Sequence, residues 1–182
     1  MRVNFCEMAR RAGAQVPLLN GMADATSYIL EHAGGRVLLP PSVSLARGGL
    51  AGALRSGGCE VVEDDFRRQA PTAAAGVTGA NFAFADTGTV VLNSTDEAVR
   101  LATTLPERHF VLLDPRKILP DSLAAVPFLR QFRELSPRHF LAYITGPSRT
   151  ADIERVLTIG VHGPKELHLL LVDGLSGDFL EL

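Results

Sequence analysis

Short apolar runs alternate along this chain with stretches of helical spacing, and Gly or Pro punctuates most of the joins. Arg36 to Pro40, Cys59 to Glu63, His109 to Asp114, His139 to Thr145 and Glu166 to Asp173 each read as a strand. Between them, Ser44 to Arg55 carries Leu45, Leu50 and Leu54 at helical spacing, and Gly57-Gly58 ends it. Ser94 to Leu105 reads as a helix with Thr95 as N-cap and Asp96 and Glu97 at its positive end. Pro115 to Phe132 reads as helical with a break at Pro127, and Thr150 to Ile159 as a further helix closed by Gly160. Asp64 to Ala75 is a linker or a weak helix. Phe82, Phe84 and Val90 to Leu92 suggest two strand-like pieces about a glycine turn, with a helix over Ala80 to Ala85 as the alternative. Strands alternating with helices imply right-handed βαβ crossovers. The expected class is therefore α/β, three-layered, with a mostly parallel sheet and helices on its faces.

A chain of 182 residues fits one domain with a core of its own. Residues 1–35 read as an N-terminal helical extension, with an amphipathic helix over Asn4 to Ala14 that packs on the domain or on a neighbouring subunit. Residues 36–182 form the α/β domain. The 18 Lys and Arg against 20 Asp and Glu give a net charge of −2, which argues against a general nucleic-acid binder. Cys6 and Cys59 are the two cysteines and form no C-x-x-C pair. That disfavours a disulfide scaffold, a thiolate zinc site and an iron–sulfur cluster within the chain, and suits reduced thiols in the cytoplasm. The longest apolar runs fall far short of the about 20 residues a spanning helix needs. Glu7 and Gln15 interrupt any signal-peptide core.

Three segments carry candidate chemistry. Gly146-Pro147-Ser148-Arg149-Thr150 has the form of a strand, a tight turn and a helix start. Peptide NH groups there, with the Ser148 and Thr150 hydroxyls and the Arg149 guanidinium, suit a carboxylate or phosphate. The plainer reading makes Thr150 a cap and pairs Arg149 with Asp152 or Glu154. The second segment runs from Thr78-Gly79 to Asp86-Thr87-Gly88-Thr89 and supplies hydroxyls, close-approach backbone and the Asp86 carboxylate, or simply turns. The third is Gly160 to Pro164, where His162 is a candidate proton relay or a surface histidine. The remaining histidines show no metal-ligand spacing. Both the Thr-Gly and the Gly-Pro-Ser-Arg segments are expected beyond the carboxyl ends of strands, in one pocket.

Taken together, Gly76 to Leu92, Leu105 to His109, Ile144 to Glu154 and Gly160 to Pro164 resemble the signature of the lactate-utilisation protein C family, also called LutC/YkgG or LUD-domain proteins. The resemblance runs from about Arg36 to Asp173. It implies a fold like the NagB/RpiA/CoA transferase-like class. It also implies a place in a cytoplasmic system that oxidises L-lactate to pyruvate beside iron–sulfur partner subunits, which would hold the clusters this chain lacks. The family usually has Glu where Asp86 stands. The resemblance supplies no catalytic residues, so those named here come from their chemistry.

On these grounds the leading expectation is a subunit of a lactate-oxidising assembly with a site for a small anionic substrate. Arg149 would clamp the carboxylate, Thr87, Thr89, Ser148 and Thr150 would donate hydrogen bonds, and His162 or Asp86 would handle the hydroxyl proton. The first alternative is an isomerase or CoA-transferase-like enzyme acting on a phosphorylated or CoA-linked substrate, with Asp86 as nucleophile. The second is a non-catalytic assembly subunit.

Overall fold

The structure, a computed structural model, describes residues 1–135, 138–150 and 158–182. The chain opens with two helices, α1 (Arg2–Arg11) and α2 (Met22–His32), before strand β1 (Val37–Leu38). Then follow α3 (Val43–Arg47), α4 (Leu50–Ser56), β2 (Val61–Val62), α5 (Phe66–Gln69) and β3 (Ala75–Gly79). The middle of the chain gives β4 (Phe82–Phe84), β5 (Thr89–Asn93), α6 (Glu97–Thr104), β6 (Arg108–Leu113) and β7 (Ile118–Leu119). Last come α7 (Val126–Leu135), β8 (Leu141–Ile144), β9 (Arg149–Thr150), β10 (Thr158–Ile159) and β11 (Glu166–Leu171).

Five strands make a wholly parallel sheet in the order β11-β6-β3-β1-β2. Its long strands are buried on both faces, which is why they read as near-continuous apolar runs. Val77, Phe110, Leu112 and Leu170 face α2 and α4, where Ile29, Leu50 and Leu54 complete one core. Val111, Leu113, Leu167 and Leu169 face the opposite way, onto Phe5 and Ala9 of α1 and onto a second sheet. That second sheet has the order β7-β4-β5-β8 and is antiparallel except between β4 and β7. Its far face carries Phe82, Phe84 and Val91, which α7 covers with Phe132. The α/β class and the mostly parallel central sheet expected from the sequence are present. Residues before Arg36 feed both cores, through Phe5 and Ala9 on one side and Ala25 and Ile29 on the other.

Several elements differ from the sequence reading, each for a local reason. The helix expected over Ser44 to Arg55 is two helices, because Gly49 turns left-handed at φ +69° between them. Asp96, not Thr95, caps α6: its carboxylate accepts from the Ala98 N–H at 2.8 Å. Thr95 instead accepts from the Phe140 N–H. Ala80 to Ala85 is strand, since Phe82 to Phe84 pairs with Thr89 to Val91. Within the stretch expected as one helix from Pro115, a 3-10 turn, β7 and a second 3-10 turn precede α7, and Pro127 sits in that helix's first turn rather than breaking it. The strand expected over His139 to Thr145 exists as β8 but pairs antiparallel with β5, outside the parallel sheet. Thr150, expected as an N-cap, lies in β9 and pairs antiparallel with Thr158. The remainder of the helix expected there, with Asp152 and Glu154, falls outside the described residues.

Candidate functional site

The order of the parallel strands marks where a ligand belongs. From β1 the chain moves outward to β2, then returns across β1 to β3, so the direction of winding reverses between β1 and β3. Loops leaving the carboxyl ends of those two strands diverge and leave a crevice, the usual ligand position in open α/β sheets. A cavity of about 820 Å³ opens beside that point, over the carboxyl ends of β1 and β2, within the size range of small-molecule sites. Pro41, Ser42 and Val43 after β1, Glu63 after β2, and Asn93 at the end of β5 form its wall, and Glu181 and Leu182 form its roof. Gly79, the last residue of β3, lies directly beneath Leu182 and Ser42, and a side chain there would collide with the Leu182 backbone.

Three side-chain donors hold the backbone oxygens of Glu181 and Leu182, which line this cavity. Ser42 Oγ and Ser44 Oγ each donate to the Leu182 backbone oxygen at 2.6 Å, and the Ser44 N–H reaches the same oxygen at 3.2 Å. Lys117 is 2% exposed, and its Nζ donates to the Glu181 carbonyl at 2.7 Å. Burial pushes the Lys117 amine down to about 8, against the opposing pull of Glu181, Asp178 and Asp114. Burial would likewise raise the Asp114 carboxyl, but hydrogen bonds from the Arg116 side chain and backbone and from the Ser176 N–H outweigh it and hold the group below its ordinary range. Glu181 is similar: burial raises it, while Ser176 and Arg47 bring it below the usual value. The charges beside Lys117 thus have partners of their own, and the ammonium touches a neutral carbonyl.

A second cleft, of about 410 Å³, lies at the amino ends of β6 and β11 and gathers Gly146, Ser148, Arg149 and His162 with His109. The Gly-Pro-Ser-Arg segment was expected beyond the carboxyl ends of the strands; the antiparallel placement of β8 sends it to the other end of the parallel sheet. His162 is exposed at its lip. Arg149 is exposed too, and its guanidinium donates to the Ala12 carbonyl just after α1. A side chain at Gly146 would strike that same Ala12 carbonyl, and one at Gly88 would strike the backbone of Met8 and Ala9. These two glycines therefore let α1 lie flat on the turns.

The hydroxyls of Thr87 and Thr89 lie 2.7 Å apart, and Thr89 reaches Thr145 at 2.7 Å, on the cleft wall. Thr78 is buried within the parallel sheet, its Oγ1 2.9 Å from His109 Nε2. Burial, with His168 nearby, pushes His109 down to about 3, and its Nδ1 is buried with no hydrogen-bond partner. Asp86 is exposed in the β4–β5 turn and lines neither cleft. The structure therefore joins Gly146, Ser148, Arg149 and His162, sets Gly79 at the other end of the sheet, and leaves Asp86 apart from both.

Ser42, Ser44 and Lys117 were not singled out from the sequence. The double proline after β1 followed by a serine is the signal that could have found the first two. Among the described residues no group of three or more His, Cys, Asp and Glu is arranged to hold a metal ion, and no helix is long and apolar enough to cross a membrane.

Comparison with known proteins assigns the fold and the family. A crystal structure of a DUF162 family protein from Deinococcus radiodurans superposes with a TM-score of 0.67 at 20% identity, covering 94% of this chain and 95% of that one. "Lactate utilization protein C" of Bacillus subtilis (strain 168) is 32% identical over 165 residues, which are 84% of this chain and 69% of that protein. The Bacillus pumilus protein of the same name is 32% identical over 66% of this chain but only 51% of its own length. "Uncharacterized protein YkgG" of Escherichia coli is 37% identical over 58% of this chain and 47% of its own. The chain thus spans about half to two-thirds of the length of these curated relatives. The LUD domain family matches residues 3–172, nearly the whole chain. This protein belongs to the LUD domain family.

Proposed function

We propose that this protein is a cytoplasmic component of an L-lactate utilisation system and that its own task is to bind a small carboxylate in the crevice at the carboxyl end of β1. The single observation that carries this reading is the donor set beside that crevice: the Ser42 hydroxyl on its wall, and the Ser44 hydroxyl and buried Lys117 amine bonded to backbone oxygens of the lining residues Leu182 and Glu181. A hydroxy- or keto-carboxylate offers oxygens of the same kind with a negative charge, and charge-assisted hydrogen bonds are about twice as strong as neutral ones. The names of the relatives supply the substrate class. Oxidising lactate to pyruvate releases two electrons and two protons, and the electrons would pass to iron–sulfur partner subunits. The acyl-transfer alternative draws no support from geometry, because the Asp86 carboxylate it requires lies outside both clefts.

Thermal unfolding with L-lactate, pyruvate, acetate and inorganic phosphate tests the binding step. A ligand at about 100 times its Kd adds roughly 2.7 kcal/mol of stability. Lactate or pyruvate should stabilise the protein, Lys117→Met and Ser42→Ala should remove the effect, and Arg149→Ala should leave it. No shift with any carboxylate would end the reading, and loss of the shift in Arg149→Ala alone would return the site to the second cleft. Co-purification under mild conditions, followed by visible absorbance, tests for the iron–sulfur partners.

A further inference from the structure

The cleft at the amino ends of β6 and β11 is floored by His109 and Leu167, which are register partners on those neighbouring strands and each 1% exposed. They lie on the face of the sheet that carries Val111, Leu113 and Leu169. An unpaired nitrogen stands at this floor. His109 Nε2 lies 2.9 Å from Thr78 Oγ1, while its Nδ1 is buried with no hydrogen-bond partner. The two nitrogens of an imidazole point away from each other. Thr78 lies on β3, to one side of β6, and is not part of the cleft; Leu167 lies on β11, to the other side, and is. With Nε2 turned toward β3, Nδ1 is turned toward β11 and the cleft. A buried polar atom without a partner is rare in a folded protein, because the lost hydrogen bond to water is not replaced.

The walls above that floor are already in place. The Ser148 N–H donates to the Pro164 carbonyl at 2.9 Å, and the Gly160 N–H donates to the Ser148 carbonyl at 2.9 Å, which ties the turn after β8 to the loop before β11. On β8, Leu141 packs into the cluster of Phe82 and Phe132, and Tyr143 stacks on Phe84. The alternate residues Ala142 and Ile144 therefore turn their side chains to the cleft.

The cleft is suited to an uncharged guest. Among the described residues that line it there is no Asp or Glu, and Arg149 is engaged at the rim with the Ala12 carbonyl. Burial holds the His109 ring neutral, its pKa pushed down to about 3. An ion set against that ring would lose water and gain no counter-charge. A hydroxyl fits either tautomer: Thr78 can donate to Nε2 or accept from it, and a hydroxyl at Nδ1 completes the ring in the complementary sense. The volume of about 410 Å³ is at the small end of ligand sites.

We propose that this second cleft is a binding site for a small uncharged alcohol, whose hydroxyl bonds to His109 Nδ1 at the floor while its carbon skeleton lies against Ile144, Pro164 and Leu167. The observation that carries it is the unpartnered, fully buried imidazole nitrogen turned into a preformed cleft. The site is independent of the carboxylate crevice, which lies at the opposite ends of the parallel strands.

The test uses the full chain and heteronuclear NMR of its histidine ring nitrogens, titrated with glycerol, propylene glycol and isopropanol, with acetate as the anionic control. At least one alcohol should move the His109 Nδ1 resonance saturably and leave His32 and His168 unmoved. Ala142→Phe, which fills the cleft from its β8 wall, should weaken that binding at least about tenfold. A crystal structure grown with the same alcohol should place its oxygen within hydrogen-bond distance of Nδ1, and this measurement needs no variant to fold. A His109 resonance that no alcohol moves, with an ordered water only at Nδ1, would overturn the proposal. So would an equal drift of every histidine signal, binding unchanged in Ala142→Phe, or a shift produced by acetate and by none of the alcohols.

Discussion

Lys117 makes the sharpest quantitative prediction. Its amine is almost wholly buried and its pKa stands at about 8, against an ordinary 10.5, because burial outweighs the attraction of Glu181, Asp178 and Asp114. In the unfolded chain the same amine titrates at the ordinary value. Between the two values the unfolded state holds a proton that the folded state has released, so stability rises with pH across that window. The cost of keeping the amine charged is present in full below pH 8 and gone above pH 10.5. A shift of 10.5 − 8 = 2.5 pKa units corresponds to about 3 kcal/mol at most, and roughly 2–3 kcal/mol of it returns between pH 7 and pH 10. The perturbation is Lys117→Met, which keeps the length of the side chain and removes the titration. Urea unfolding of both proteins at several pH values from 7 to 10 gives the comparison. Tyr28, Tyr143 and Cys59, whose pKa values burial raises, contribute an opposing slope in both proteins and cancel in the difference. The wild type should gain roughly 2–3 kcal/mol on the variant across the range, equivalent to about 2–4 °C in Tm per kcal/mol. Parallel stability curves would refute the argument. A wild type that loses ground on the variant would mean that the amine's pKa is raised, and that the carboxylates pair with it directly.

Three further outcomes follow from particular contacts. Gly146→Ala sets a side chain against the Ala12 carbonyl at a residue with φ +73°, so it should destabilise the protein by about 1–3 kcal/mol in urea unfolding. Arg149→Ala removes only an exposed contact to that same carbonyl and should cost less than about 1 kcal/mol by the same measure. Thr78→Val strips the only hydrogen bond from a buried imidazole whose other nitrogen is already unpartnered, and should cost about 1–3 kcal/mol, seen as a lower urea midpoint at pH 7.

The parallel sheet was legible because its strands are buried on both faces, and burial on both faces writes itself as an apolar run between Gly and Pro. The hairpin of β4 and β5 was only half legible. Phe82-Ala83-Phe84 is too short for its periodicity to separate strand from helix, and its partners Val91 and Ile118 decide the matter from outside. Thr150 shows the same limit. A Ser-Arg-Thr run after Gly-Pro has the local chemistry of a helix cap, yet the pairing of Arg149 and Thr150 with Ile159 and Thr158 makes it a strand.

The site was less legible than the fold, and the reason is where hydrogen-bonding capacity is used. Turns rich in Gly, Thr, Ser and Arg look like anion sites in a sequence because they carry donors. In the folded chain the donors of Arg149, Thr87 and Thr89 are engaged with the end of α1 and with one another. The crevice at the carboxyl end of β1 has Ser42, Ser44 and Lys117 beside it, and only the Pro40-Pro41-Ser42 run gives any local signal of them. Lys117 sits in an ordinary turn after β6, and the carbonyl it holds belongs to a residue 64 positions later. What makes the lysine chemically unusual is thus a segment that crosses the sheet only once the fold has formed.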